Sequence, residues 1–372
     1  MDAECYPSLV LYFDHNATHP LTPTARAAWL DAVERFPANP SSPHRLGQRA
    51  EKALDEARER LAAILGCQAD EIVFTSGATE SANMALAPFT TILHSAIEHP
   101  CVREAARGRS REFGVNRSGV ADLEDLRRQL ADHAPAVVAL MAANNETGAL
   151  QPWREALEIC RGHRVPFFCD AAQWIGKLPA RGLGECDLVS GCAHKFGGPL
   201  GAGFLKCRRD FPPLLRGGPQ EDGRRGGTEN LPAILAMLAA LEEAEERLAS
   251  PISSSLTEAR DQFETRLTAA LPGVQILAAE TPRLWNTVSV LMPETPDCRR
   301  RWVVVLDRLG FAVSTGSACA SGKEKPSHVL TAMGVAPSDA GRALRFSAGW
   351  STTEKEWESL RHGLETAVRE MR

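Results

Sequence analysis

The sequence lacks any C-x-x-C pair, and its ten cysteines (Cys5, Cys67, Cys101, Cys160, Cys169, Cys186, Cys192, Cys207, Cys298 and Cys319) follow no regular spacing. A disulfide scaffold is therefore excluded in a chain this long, and reduced thiols are expected. No apolar run reaches membrane-spanning length. The start, Met1-Asp2-Ala3-Glu4-Cys5, is acidic where a signal peptide would be basic, so the expected location is the cytoplasm, away from any membrane. Positive charge is not in excess: 42 Lys and Arg face 47 Asp and Glu, a net charge of −5, so no nucleic-acid partner is expected. Internal repeats and low-complexity tracts are absent too. What remains is a chain of 372 residues, 44% hydrophobic and 24% charged, ordinary for a globular protein and long enough for a large core and two domains.

Short apolar runs that end in Gly, Ser, Asn or Asp alternate with helical patterns. Glu71–Thr75, Ala136–Met141, Val165–Cys169 and a short run from Leu188 read as strands, and the Ser76-Gly77-Ala78-Thr79 turn leads into a helix from Glu80. Gln48–Leu65 carries Ala50, Ala53, Leu54, Ala57, Leu61 and Ile64 at helical spacing. This alternation predicts an α/β fold with a mainly parallel sheet, whose functional residues lie in loops at the carboxyl ends of strands. Ala239–Leu248 reads as a charged, solvated helix, with Pro251 and Ser253-Ser254-Ser255 after it and a new helical pattern from about Leu256. The boundary is placed there. Residues 14–252 are expected to form a large domain, and 1–13 with 253–372 a smaller α+β domain that includes a strand at Thr287–Leu291.

Ser190-Gly191-Cys192-Ala193-His194-Lys195 sets a lysine among small residues beside a histidine, shortly after the strand that ends at Asp170. An amine, an anion for a pyridine nitrogen and donors for a phosphate are what pyridoxal phosphate needs from a protein. Ser76-Gly77-Ala78-Thr79, between a strand and a helix, could bind that phosphate through free N–H groups, or be an ordinary capped turn. Thr228, in an Arg- and Gly-rich loop, is a further donor or part of a basic turn. His99 could stack on a flat cofactor and move protons, or be structural. Gln173, three residues after Asp170, could reach the cofactor's phenolic oxygen. Cys319 lies in a small polar loop, Ser314-Thr315-Gly316-Ser317-Ala318-Cys319-Ala320-Ser321-Gly322, as a nucleophilic thiol or an incidental one. Arg345, within a strand-like apolar run, suits a carboxylate.

Taken in order, Phe13-Asp14-His15-Asn16-Ala17-Thr18, Asn39-Pro40-Ser41-Ser42-Pro43-His44, Thr75–Ser81, Glu98-His99, Asn144-Asn145-Glu146-Thr147-Gly148, Asp170-Ala171-Ala172-Gln173, His194-Lys195, Gly227-Thr228, Gly316–Cys319 and Arg345-Phe346-Ser347 resemble the cysteine desulfurases of the NifS/IscS type. These belong to the class V group of fold-type I pyridoxal-phosphate enzymes, and the resemblance covers nearly the whole chain. It implies a large domain with a mainly parallel seven-stranded sheet, a homodimer and a pyridoxal 5′-phosphate Schiff base on Lys195. Lys195 would take the substrate's α-proton, Asp170 would keep the pyridine nitrogen protonated, and His99 would stack on the ring. Gln173 would tune the phenolic oxygen. Ala78, Thr79, His194, the Cys192 position and Thr228 from the partner subunit would hold the phosphate. Asn145 and Arg345 would grip the carboxylate of L-cysteine. Cys319 would take its sulfur as a persulfide, release L-alanine and pass the sulfur to an acceptor protein, as in iron–sulfur cluster assembly. No metal is implied.

Several positions depart from the family pattern. Cys192 stands where a hydroxyl residue is usual, which predicts slightly weaker cofactor retention, since a thiol is a poor donor. Ala193 replaces a frequent glycine, His15 and His19 are unusual in their segment, and Trp350 replaces an arginine. Alternative readings are a selenocysteine lyase or C–S β-lyase of the same fold, an aminotransferase, and a degenerate member that acts as a binding partner.

Overall fold

The computed structural model describes residues 10–294, 298–315 and 327–371, with backbone alone at 298–301. Its elements in chain order begin with β1 (Leu11–Tyr12), α1 (Pro23–Arg35), α2 (Arg45–Leu65), β2 (Ile72–Thr75), α3 (Ala78–Leu86), β3 (Ile92–Ser95), α4 (Pro100–Ala105) and β4 (Ser110–Phe113). They continue with α5 (Leu123–Asp132), β5 (Val137–Met141), α6 (Trp153–His163), β6 (Phe167–Asp170), β7 (Leu188–Cys192), β8 (Gly203–Lys206), α7 (Leu231–Leu248) and α8 (Ile252–Ala270). The last are β9 (Gln275–Ile276), β10 (Thr287–Leu291), α9 (Cys298–Arg308), β11 (Phe311–Ala312), α10 (His328–Ala332), α11 (Pro337–Ala340), β12 (Ala343–Ser347) and α12 (Glu354–Met371).

Seven strands form one sheet in the order β2-β8-β7-β6-β5-β3-β4. All its pairings are parallel except those of β8, which runs antiparallel to both β2 and β7. The other six strands therefore share one direction, and their carboxyl ends meet at one edge. Both faces are covered, as a parallel sheet requires. Along β5, Val138 and Leu140 join one buried cluster while Val137 and Ala139 join another on the opposite face. Helix α2 shows the sequence logic: Ala50, Ala53, Leu54, Ala57, Leu61 and Leu65 are buried on one stripe. His44 caps its start, and Gly66, at φ 81, closes its end in the left-handed region.

A second core gathers around Phe263, Trp302, Phe346 and Trp357, and Phe13 belongs to it. Its strands are the antiparallel set β12-β10-β9 and the parallel pair β1-β11. The three serines expected between helices are helical instead: α8 starts at Ile252 and includes Ser253–Ser255. The Ser255 hydroxyl donates to Ile252 O at 2.9 Å and Thr257 to Ser253 O at 2.9 Å, so the polar side chains bond back into the helix that contains them. Trp350, the replacement for arginine, packs at 4.5 Å on Trp285 with Arg247 over its ring. Among the described residues, no helix is long and apolar enough to cross a membrane.

Candidate active site

A pocket of about 640 Å³ opens where the strands end. At one end, β2 stops at Thr75 and the chain turns through Gly77, at φ 150, into α3. The close fit of this turn depends on Gly203 in β8: a Cβ there would lie 2.5 Å from Gly77 Cα and 2.6 Å from Gly191 O. Glu80, held by Arg225 at 2.8 Å, accepts the Ser76 N–H at 2.8 Å. Ala78 and Thr79 open the helix, where N–H groups lack intrahelical partners and the helix dipole favours an anion. Cys192 and His194 face this end. Burial pushes the Cys192 thiol up to about 11, so it stays protonated. Burial, then the charges of Lys195 and Lys177, pushes His194 down to about 4, so it presents a neutral ring.

Across the pocket, β6 delivers Asp170, 5% exposed, whose Oδ1 accepts from Ala172 N at 3.0 Å and Ser190 Oγ at 3.2 Å. Among the described residues no Lys or Arg forms an ion pair with it, so a buried carboxylate faces the pocket ready for a cationic partner. Behind it lies Glu98, where burial, aided by the Asp170 charge and opposed by the Ser95 hydrogen bond, pushes the carboxyl up to about 8. Glu98 is thus largely neutral at pH 7.

Lys195 sits in a single helical turn after β7 and donates from Nζ to Asn16 O at 2.8 Å and Ala17 O at 2.7 Å. The segment Phe13–Ala17 is itself held to β12: Ser347 N donates to Phe13 O at 2.7 Å, and Ser347 Oγ accepts from Asn16 N at 2.9 Å. His99 precedes α4. Its Nδ1 accepts the Cys101 N–H at 3.2 Å, which places the ring proton of the neutral form on Nε2. Burial lowers its pKa, with Asp170 opposing and Lys195 assisting, so the ring is neutral at pH 7. Gln173 donates from Nε2 to Asn16 O at 2.9 Å.

Arg345, 1% exposed, reaches the pocket from β12, with Nη2 on Asp14 Oδ1 at 2.6 Å and Nη1 on Asn145 O at 2.8 Å. Asn145 thus lines the pocket and also orients the guanidinium through its main chain. Thr228 is exposed in this chain and is not part of the pocket lining. Cys319 lies outside the described residues. On either side of its segment the chain is fixed at the pocket. Ser314 exchanges two backbone hydrogen bonds with Arg345, Ser327 Oγ donates to Glu146 Oε2 at 2.6 Å, and His328 Nε2 donates to Glu98 O at 2.8 Å.

Sequence reasoning assigned no role to Asn16, Cys101, Lys177, Glu146, Ser327 or His328, all of which touch this pocket or its lining. Asn16 and Glu146 were in motifs that carried the resemblance, the one signal that could have drawn attention to them. The unusual His15 and His19 stack edge to face at 4.6 Å behind the pocket, with His19 Nδ1 donating to Pro20 O at 2.7 Å. Burial pushes His15 down to about 3, so it is a neutral packing ring.

Pyridoxal phosphate fits these residues: a helix start for its phosphate, the buried Asp170 carboxyl for its ring nitrogen, an amine at the end of β7 and a neutral imidazole. A cysteine desulfurase of Klebsiella pneumoniae is 39% identical over 360 residues, 93% of this chain and 89% of that protein. A cysteine desulfurase IscS of Dictyoglomus turgidum is 34% identical over 380 residues, 97% of this chain and 95% of that one. The solved structure of a NifS-like protein from Rickettsia africae superposes with a TM-score of 0.89 at 28% identity, covering 97% of this chain and 99% of that chain. Residues 11–360 match the Aminotransferase class-V family, to which this chain belongs.

Proposed function

We propose that this protein is a pyridoxal-phosphate-dependent cysteine desulfurase, which converts L-cysteine to L-alanine and hands the sulfur to an acceptor protein. The reading is carried by one observation: Asp170, Lys195, His99 and Arg345, from four separate stretches of chain, surround a single pocket. Family membership implies the cofactor, and the relatives named cysteine desulfurase supply the substrate.

Lys195 would hold the cofactor covalently, Asp170 would bind its ring nitrogen, and Ala78, Thr79, Cys192 and His194 would hold its phosphate. Once bound, the cofactor supplies an electron sink that makes the Cα–H bond of an amino acid acidic. Arg345 binds the substrate carboxylate with its planar fork, already oriented by Asp14 and Asn145 O. Lys195 would take the α-proton of the amino acid at Nζ. His99, neutral and with its proton on Nε2, would give and take protons at Nε2. Gln173 presents an amide to the phenolic oxygen. The Cys319 thiolate attacks the substrate sulfur: a S–S bond forms, the C–S bond breaks, and its electron pair passes to the carbon skeleton, which is protonated and leaves as alanine. The persulfide on Cys319 is then the cargo. Thr228 completes the phosphate site from the second subunit of a homodimer. Residues 14–252 form the cofactor domain, and 1–13 with 253–372 the domain that bears Cys319.

Borohydride reduction of the cofactor-loaded protein, followed by peptide mass spectrometry, tests the site. The expected result is a reduced pyridoxyl phosphate adduct on Lys195. An adduct on another lysine, or none, would overturn it.

A further inference from the structure

Seven residues after β6 ends at Asp170, a second lysine is buried behind Gln173 in the pocket lining. Lys177 is 3% exposed, and its ammonium has one hydrogen-bond partner among the described residues, Gln173 Oε1 at 2.7 Å. The turn that places it is tightly specified. Gly176, at φ +73, lies against Phe196, where a Cβ would sit 2.2 Å from the Phe196 Cβ, and the Lys177 carbonyl accepts from Trp285 Nε1 at 2.9 Å. The charged and titratable groups that act on it or feel it are Lys195, Arg345, Cys192, His15, His19 and His194. Among the described residues, no carboxylate is one of them. Burial and the positive charges of Lys195 and Arg345 push Lys177 down to about 7. A buried, poorly compensated cation is costly to keep unless it has a task.

Its one contact indicates the task. As an ammonium, or near pH 7 as a neutral amine, Lys177 Nζ can donate, and the Gln173 atom that faces it is the carbonyl oxygen. Asn16 O, an acceptor only, meets the opposite atom at 2.9 Å, which must then be the NH2. Together the two neighbours fix an amide orientation that would otherwise be free to flip. Of the two N–H bonds of Nε2, one serves Asn16 O, and the other is left for the pocket that Gln173 lines.

We propose that Lys177 is a positioning residue of the cofactor site: it locks the Gln173 amide with its NH2 toward the pocket, so that Gln173 meets the cofactor's phenolic oxygen as a donor. This inference rests on the reading of the pocket as a pyridoxal-phosphate site. A donor at the phenolic oxygen stabilises its anion and competes with the Schiff-base nitrogen's own proton for that oxygen. Loss of the donor therefore raises the pH at which the Schiff base loses its proton.

The test is a spectroscopic pH titration of pyridoxal phosphate bound to wild type, Lys177→Met, Gln173→Ala and the double variant, with cofactor affinity and melting temperature measured alongside. Lys177→Met is expected to raise the pH midpoint of the cofactor band by about one unit, a tenfold change in proton affinity. Gln173→Ala should raise it similarly, and the double variant should shift no further than the larger single one. A Lys177→Met protein with an unmoved midpoint and only a lower melting temperature would overturn the inference, as would shifts that add. Should Lys177→Met fail to fold, Lys177→Gln takes its place in the titration, and an unmoved midpoint in it or in Gln173→Ala overturns the inference. A wild-type protein that shows no cofactor band would overturn the cofactor reading itself, a distinct result.

Discussion

Gly203→Ala places one methyl group where the structure has no room and lets the phosphate end of the pocket report the consequence. The new Cβ would lie 2.5 Å from Gly77 Cα, 2.6 Å from Gly191 O and 2.9 Å from Gly77 N, against ordinary contacts that begin at 3.4 Å. Relief requires a shift of about 0.9 Å, and every obstacle is backbone, so no side chain can rotate away. Strand β8 is hydrogen-bonded on both sides, to β2 and β7, and resists moving alone. The turn Ser76–Thr79 yields at Gly77, and β7 must give at Gly191 O. Overpacking of this kind costs about 1–3 kcal/mol of stability. Displacing the turn also weakens at least one hydrogen bond to a charged phosphate, about 1.5–3 kcal/mol, or roughly ten- to hundredfold in Kd. Titration of the cofactor-free protein with pyridoxal phosphate, followed by absorbance, measures this directly, with thermal melting in parallel. Gly162→Ala in α6, where a Cβ meets nothing within 4 Å, is the control. It should stabilise by about 0.5–1 kcal/mol and leave the affinity unchanged. A Gly203→Ala protein that binds the cofactor within about twofold of wild type, against the tenfold step expected from 1.4 kcal/mol, would refute the idea that this close approach shapes the phosphate site.

Glu221, with its side chain fully buried, forms an ion pair with Arg58 at 2.7 Å and accepts the Phe74 N–H at 3.0 Å, tying the 215–230 loop to β2. Glu221→Ala should cost about 3–5 kcal/mol in chemical denaturation, because it leaves a largely buried guanidinium unpaired. Stability should also respond to pH through two buried groups of opposite sense. His15, held down to about 3 against an ordinary 6.5, contributes stability above pH 6.5 that is lost as pH falls toward 3. The melting temperature of His15→Asn relative to wild type should therefore improve steadily over that window, with a slope of up to about 1.4 kcal/mol per pH unit. Glu98, raised to about 8 from 4.5, contributes stability that is complete below pH 4.5 and lost as pH rises to 8, so Glu98→Gln should gain on wild type as pH rises.

Much of the fold was legible because local pattern and tertiary role agree. The helical stripe of α2, the apolar runs of β2, β5 and β10, and the end of β6 at Asp170 are all visible in the sequence. Strand β4 was not, since Ser-Arg-Glu-Phe is a polar edge strand with three of its four residues exposed. Strand β8 was missed because it is short and emerges from a Gly-rich turn, and its antiparallel direction is a property of the sheet rather than of its residues. At the site, Lys195, Asp170, His99 and Gln173 announced themselves by motif. The Asp14–Arg345 ion pair joins positions 331 residues apart, and Lys177 reads in sequence as one more surface charge. Only the folded geometry shows that its ammonium is buried against Gln173.

The central claim is that the pocket converts L-cysteine to L-alanine and sulfur through Cys319. Product analysis with L-cysteine and a reductant, comparing wild type with Cys319→Ala, tests it most directly. Equal yields of alanine and sulfide in the wild type, both lost in the variant, are the predicted result. Pyruvate in place of alanine, or alanine formation untouched by the substitution, would contradict it.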